Sequence, residues 1–178
     1  LAAQMPDLQK KMHQEVLRLR RPDPKAPRPY DYQFVPALSS LDSKPGVTWA
    51  TYRSMAPWLT TGDKLPTINT GISKTLAEIP GAPGESILIS GYLEVPSDDT
   101  YTFHLATDGQ ALLRIHNATV IDAGFTSPKK PVSGAIKLKA GKHPFRLYRK
   151  DSGNNFSHKR ETHPKEVLSD FPATMLSH

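Results

Sequence analysis

The densest run of chemically capable residues in this 178-residue chain lies between Lys137 and Lys150, where Lys137, Lys139, Lys142, Arg146, Arg149 and Lys150 fall within 14 positions. Guanidinium forks and ammonium groups suit sulfate and carboxylate groups. Alternate residues of a strand share a face, so several of these cations are expected on one outer surface that attracts an acidic polysaccharide. An ordinary solvated sheet face is the competing reading. Asp98 and Asp99 are adjacent carboxylates in a turn, and such a pair is not an acid/base couple unless something holds it across a substrate. Asn117-Ala118-Thr119 and Asn155-Phe156-Ser157 fit the N-glycosylation pattern, and Asn117 is also a candidate ligand contact. The seven histidines show no metal-ligand spacing. Trp49, Tyr52 and Trp58 form an aromatic group suited either to stacking on sugar rings or to packing at a core edge.

The composition excludes several kinds of chemistry. Without cysteine there is no disulfide framework, no thiolate-held zinc or iron–sulfur site and no thiol nucleophile. No apolar run approaches the roughly 18 residues of a membrane helix. The net charge of +6 is unevenly placed. Residues 1–30 carry seven basic against three acidic groups, residues 31–136 seven against ten, and residues 137–165 nine against two. Basic ends attract many polyanions weakly, and no nucleic-acid-binding motif accompanies them. The chain starts at Leu1 and not at Met, so it is expected to be a piece of something longer.

Elements that must position these groups follow from the hydrophobic pattern. Met5, Leu8, Met12, Val16 and Leu19 recur at helical steps, which predicts a helix over Gln4–Arg21. Pro6 suits its first turn, and Pro22 and Pro24 stop it. Residues 22–44 are rich in proline and read as a linker. Strands are expected over Val47–Tyr52, Ile87–Val95, Tyr101–Leu105, Ala111–Ile115, Thr119–Asp122, Ile136–Leu138 and Phe145–Tyr148, with turns between them. Met55–Thr75 has turn chemistry and little periodicity, so an excursion is expected there. If Ala140-Gly141 closes a hairpin, Ile136 lies opposite Phe145 and Leu138 opposite His143. Short strands at this spacing, with no βαβ alternation, predict an antiparallel sandwich or barrel.

The stretch Ser90–Gly124 resembles a PA14 domain, as does Ser133–Asp151. Gly91, Tyr92, Pro96, Tyr101, Phe103, Asp108, Gly109, Leu113, Ile115, Leu138, Gly141 and His143 fall in order on that family's pattern. The resemblance extends more faintly back to about Pro45. It implies a mainly β fold, a PA14-like antiparallel β-sandwich of residues 45–151, preceded by a helix (1–21) and a linker (22–44). The family's closing Leu-x-Leu-x-Trp strand has no match, so residues 152–178 are expected to form a tail or an irregular final segment. The family's calcium-dependent lectins use two adjacent aspartates in a turn that Thr107-Asp108-Gly109 matches. Thr107 replaces the first of them, so one charged ligand is missing, Asp108 reads as a turn residue in preference to a calcium ligand, and no cofactor is expected. The helix and linker resemble, more loosely, the end of a bacterial sulfatase-type catalytic domain. No formylglycine-type motif is present in the chain, so any such activity would belong to other residues.

The resemblance therefore implies a non-catalytic accessory module that contacts carbohydrate and is attached to a secreted, sulfatase-like hydrolase. It places the protein outside the cell or in the periplasm, with no membrane partner. Candidate contacts are Thr107, Asp108, Asn117, Lys137, Lys139 and Arg146, and partners are an acidic or sulfated polysaccharide and the parent's catalytic domain. One alternative is a purely structural domain that packs on that catalytic partner. Another is a non-specific polyanion or nucleic-acid binder.

Overall fold

The computed structural model describes residues 6–20, 32–39, 42–56, 58–61, 65–76, 78–79, 84–106, 109–124, 131–150, 157–162, 166–169 and 173–178. A helix, α1, spans Pro6–Arg20, with Asp7 in its first turn where the helix dipole favours an anion. Leu8 and Met12 on its apolar stripe are 46% and 61% exposed. No helix among the described residues is long and apolar enough to cross a membrane.

The remainder is a sandwich of two sheets. Strands β1 (Val47–Arg53), β2 (Thr67–Ser73), β3 (Glu85–Val95), β5 (Gln110–Ile115), β6 (Ala118–Ala123), β8 (Gly141–Lys150) and β11 (Leu176–Ser177) form one sheet, in the order β2-β1-β3-β8-β5-β6 with β11 beside β3. Strands β4 (Asp99–Ala106), β7 (Val132–Leu138), β9 (Ser157–Thr162) and β10 (Glu166–Ser169) form the other, in the order β10-β9-β4-β7. All these strand pairs are antiparallel. Alternation fills the space between the sheets. Tyr101, Phe103 and Leu105 of β4 face Ile87, Ile89, Leu113, Ile115, Phe145 and Leu147, and all are buried. Each such side chain contributes about 1.5–3 kcal/mol by leaving water. At one corner Gly134 of β7 lies against β6, where a Cβ would stand 1.9 Å from the Val120 carbonyl oxygen. Only a residue without a side chain lets the two backbones meet there.

Three expectations change. Ala140-Gly141 does not close a hairpin: β7 pairs with β4 (Tyr101 opposite Ile136), while β8 pairs with β3 and β5 in the facing sheet. The chain arches from one sheet to the other. The same alternating residues are buried either way, so periodicity could not separate the two arrangements. Gly141, at φ +122°, supplies the backbone freedom the arch needs. The second change is β2, which lies inside the stretch expected as an excursion and pairs with β1. It is an edge strand exposed on both faces, including Ile68 and Ile72, so it lacks a buried stripe to announce it. The third concerns the C-terminal segment. The polar stretch beyond Asp151 supplies β9, which pairs with β4, and β11 docks beside β3. Ladder bonds are made by backbone, so a polar strand is added without apolar alternation.

Two loops complete the frame. Val35, within the proline-rich stretch, forms a parallel bridge with Leu138 and is buried. Residues 54–56 and 58–61 bear on the outer face of the larger sheet. There the Lys150 ammonium donates to the Ala56 carbonyl, and the Leu59 N–H donates to the Gly124 carbonyl at 3.1 Å.

Candidate functional site

The outer face of the seven-stranded sheet divides into a covered half and an open half. Because Ile87, Ile89, Phe145 and Leu147 turn inward, Ser90 and Tyr92 of β3 and Pro144 and Arg146 of β8 turn outward. Register then sets one row across four strands: Thr48 opposite Ser90, Ser90 opposite Arg146, and Arg146 opposite Arg114. A second row holds Tyr92 opposite Pro144. The β5–β6 turn closes the rim with His116 and Asn117, and His178 closes another side. The result is an open cleft of about 620 Å³, with polar and apolar groups mixed along its walls. The interior void among Phe103, Leu113, Phe145 and Leu147 is only about 20 Å³ and has no polar partner to offer, so it is a packing gap.

The cleft's rim is held from below. His143 is fully buried, and its Nε2 lies 2.7 Å from the Lys139 carbonyl oxygen. A carbonyl only accepts, so that nitrogen carries the proton and the neutral ring leaves Nδ1 bare. His116 Nε2–H then donates to His143 Nδ1 at 2.9 Å, with the rings edge to face. Burial holds both imidazoles below the ordinary histidine value, and for His116 the neighbouring His143 adds to the effect. His116 sits at φ +50°, and its N–H donates to the Pro144 carbonyl at 2.8 Å. Its own carbonyl accepts from Arg146 Nη2 at 3.2 Å, while the Asn117 side-chain oxygen lies 3.5 Å from the same nitrogen. The arch histidine thus positions the turn, and the turn positions the Arg146 guanidinium.

Arg146 and Arg114 stand directly opposite each other on adjacent strands. Like charges in that relation repel. Arg114 Nε is buried and has no hydrogen-bond partner. Among the described residues neither guanidinium is bonded to a carboxylate. Asp122 lies opposite Leu112, two positions along β5 from Arg114, and its Oδ1 accepts the Gly124 N–H at 3.0 Å. Glu94 lies opposite Lys142, four positions from Arg146 along β8.

The residues singled out from sequence are distributed unevenly. Asn117 and Arg146 are brought together at the cleft. Lys137 and Lys139 belong to β7 and the arch after it, on the other sheet, with Lys137 opposite Thr100. The single basic face expected between Lys137 and Lys150 is therefore divided. Lys142 donates to Ser43 Oγ at 2.6 Å, Arg149 turns inward to the Ile79 carbonyl at 3.3 Å, and Lys150 is buried. Burial lowers the Arg149 pKa. Asp98 accepts the Ala140 N–H at 2.7 Å and Asp99 accepts the Thr100 N–H at 2.7 Å, so both carboxylates serve the backbone. Tyr52 is buried, Trp49 is partly buried against the core, and Trp58 is 50% exposed. Sequence reasoning missed Arg114, Ser90 and Thr48. Their outward alternation was visible, but the register that aligns them with Arg146 was not.

Thr107 and Asp108 lie outside the described residues. One carboxylate and one hydroxyl do not match the two-aspartate donor set of the calcium-dependent lectins. Among the described residues no group of three His, Cys, Asp or Glu side chains gathers as a metal set.

The sequence profile of the PA14 domain matches residues 43–167, well over half of the chain. The chain belongs to the PA14 domain family. No curated protein sequence matches it. Among solved structures, this PA14 chain is similar to an anti-sigma factor domain-containing protein at TM-score 0.60 and 17% identity, covering 79% of this chain and 50% of that one. The PA14 chain thus spans about half the length of that relative. It is similar to the PA14 sugar-binding domain from an RTX adhesin at TM-score 0.59 and 13% identity, covering 75% and 98% of the two chains. It also resembles the A domain of Epithelial Adhesin 6 from Candida glabrata, solved with Galβ1-3GlcNAc, at TM-score 0.56 and 13% identity, covering 78% and 89%. These likenesses establish the fold that the sequence pattern led us to expect.

Proposed function

We propose that this PA14 domain is a carbohydrate-contacting, non-catalytic accessory module of a larger extracellular or periplasmic protein, and that the open half of its outer sheet face takes the sugar. The observation that carries the reading is the cleft itself. Thr48, Ser90, Tyr92, Asn117 and Arg146 bring hydroxyl, amide and guanidinium groups to one concave surface. Sugar hydroxyls both donate and accept, so they need such a mixed set. The Tyr92 ring and the Pro144 ring add apolar surface of the kind that sugar faces stack on. Fold likeness to a sugar-binding adhesin domain and to an adhesin solved with a disaccharide supports the same assignment. The parent belongs to the proposal as a sulfatase-like hydrolase, supported by the loose likeness of helix and linker to such an enzyme's end.

A glycan array with the purified chain, run with calcium and with chelator, tests the reading. Binding to a defined set of glycans, weakened about tenfold by Asn117→Ala together with Ser90→Ala, is expected. Absence of binding in both conditions favours the second reading, a domain that packs on a catalytic partner. The exposed Ile68 and Ile72 of edge strand β2 support that alternative. A formylglycine-type motif encoded upstream of Leu1 in the same reading frame is the expected sign of the sulfatase parent.

A further inference from the structure

We infer that the Arg114–Arg146 pair makes the cleft selective for a glycan carrying one anionic group, a uronate carboxylate or a sulfate ester. This rests on the cleft being the sugar site and names its ligand class. The basic residues between Lys137 and Lys150, several of which were expected on one outer face, are divided between the two sheets and the interior. What the fold does assemble is two arginines in direct register on β5 and β8, Arg146 lining the cleft and Arg114 on the strand beside it. One of them, Arg114, keeps a buried Nε without a partner. The other is steadied by oxygens only, the His116 carbonyl and the Asn117 side chain.

Both features cost stability. Two like charges face each other across one strand pair, and a buried N–H has lost its water. A hydrophobic or neutral residue at 114 would remove both costs. An oxyanion resting between the two forks would offset the first, since it accepts from both guanidiniums at once. Ser90 and Thr48 in the same row, and Asn117 on the rim, remain for neutral hydroxyls of the same sugar. One anionic group per bound unit, flanked by neutral recognition, is the ligand that matches this arrangement.

The experiment uses the full chain and calorimetric titration at 20 and 300 mM salt. Probes are Galβ1-3GlcNAc, the same disaccharide sulfated on one hydroxyl, a galacturonate oligosaccharide and duplex DNA. Variants are Arg114→Met, which keeps the length of the stem, and Arg114→Lys. We expect at least one acidic glycan to bind about tenfold tighter than the neutral one at low salt, and the gap to narrow at high salt. The stronger of the sulfated and uronate probes identifies the anion. Arg114→Met should abolish the preference, while its melting temperature stays level or rises. Arg114→Lys should retain part of the preference. Equal binding of neutral and acidic glycans overturns the inference and leaves the proposed function standing. Loss of all glycan binding in the wild-type chain overturns the proposed function and the inference with it. A preference that survives Arg114→Met, a fall in melting temperature with that variant, or DNA binding as tight as the acidic glycan each overturns the inference alone.

Discussion

The two halves of the outer face of the seven-stranded sheet are built on the same strands and treat charge in opposite ways. In the covered half Ser86, Tyr148 and Lys150 are almost fully buried, and the Lys150 ammonium is given the Ala56 carbonyl by the loop lying over it. In the open half, two arginines lie opposite each other on adjacent strands, and one keeps a buried nitrogen without a partner. The covered half partners its buried ammonium in this way, although the Ser86 hydroxyl beside it has no hydrogen-bond partner. The open half leaves a guanidinium nitrogen without one.

The largest break in this comparison should come from the covered half. Tyr148→Ala empties a site 2% exposed and is expected to cost about 3–5 kcal/mol in denaturant unfolding, with the ratio of acidic to neutral glycan binding unchanged. If that ratio changes, the halves are coupled and the comparison fails.

His143→Phe should come next, because it acts beneath both the arch and the cleft rim. It strands the Lys139 carbonyl and the His116 Nε2–H, at about 1–3 kcal/mol for each group left unsatisfied. It should also weaken glycan binding, since the 116–117 turn that steadies Arg146 loses its support. Retention of full glycan affinity would separate the dyad from the site.

Acid should act on the same pair. Burial lowers both histidine pKa values in the folded chain, so the unfolded chain takes up protons first as pH falls below 6.5. Stability that is fully present above that pH is then lost as pH drops toward the folded values. Unfolding midpoints should be level from pH 7 to 8 and decline from pH 6.5 to 5. The decline should be smaller in His143→Phe.

Smaller still is the effect expected of Asp98→Ala. It removes the bond from the Ala140 N–H at a solvent-exposed place and should cost about 0.5–1.5 kcal/mol in unfolding without touching glycan binding.

Much of the fold was legible in the chain before any coordinates. Tyr101, Phe103 and Leu105 alternate with polar neighbours and are buried as a set, because one face of a strand in a sandwich must leave water. Elements with weak patterning were not legible. Strand β2 is exposed on both faces, and β9 is polar, so neither carries the period of two that burial imposes. For the site, Asn117 and Arg146 were visible as residue types but for unrelated reasons, one in a glycosylation triplet and one in a basic run. Arg114, 32 positions before Arg146, gave no sign of being its neighbour.

Which residues turn inward could be read along the chain, since alternation and the hydrophobic effect act within a single strand and need no knowledge of its partner. Which strands pair was settled by the folded sandwich. It sent β7 and β8 to opposite sheets, split the basic run between them, and laid Arg114 against Arg146. Pairing is set by backbone bonds and by how the two sheets close on one another, and these depend on residues far apart in the chain. Chemistry made by juxtaposition therefore came into view only with the folded sandwich.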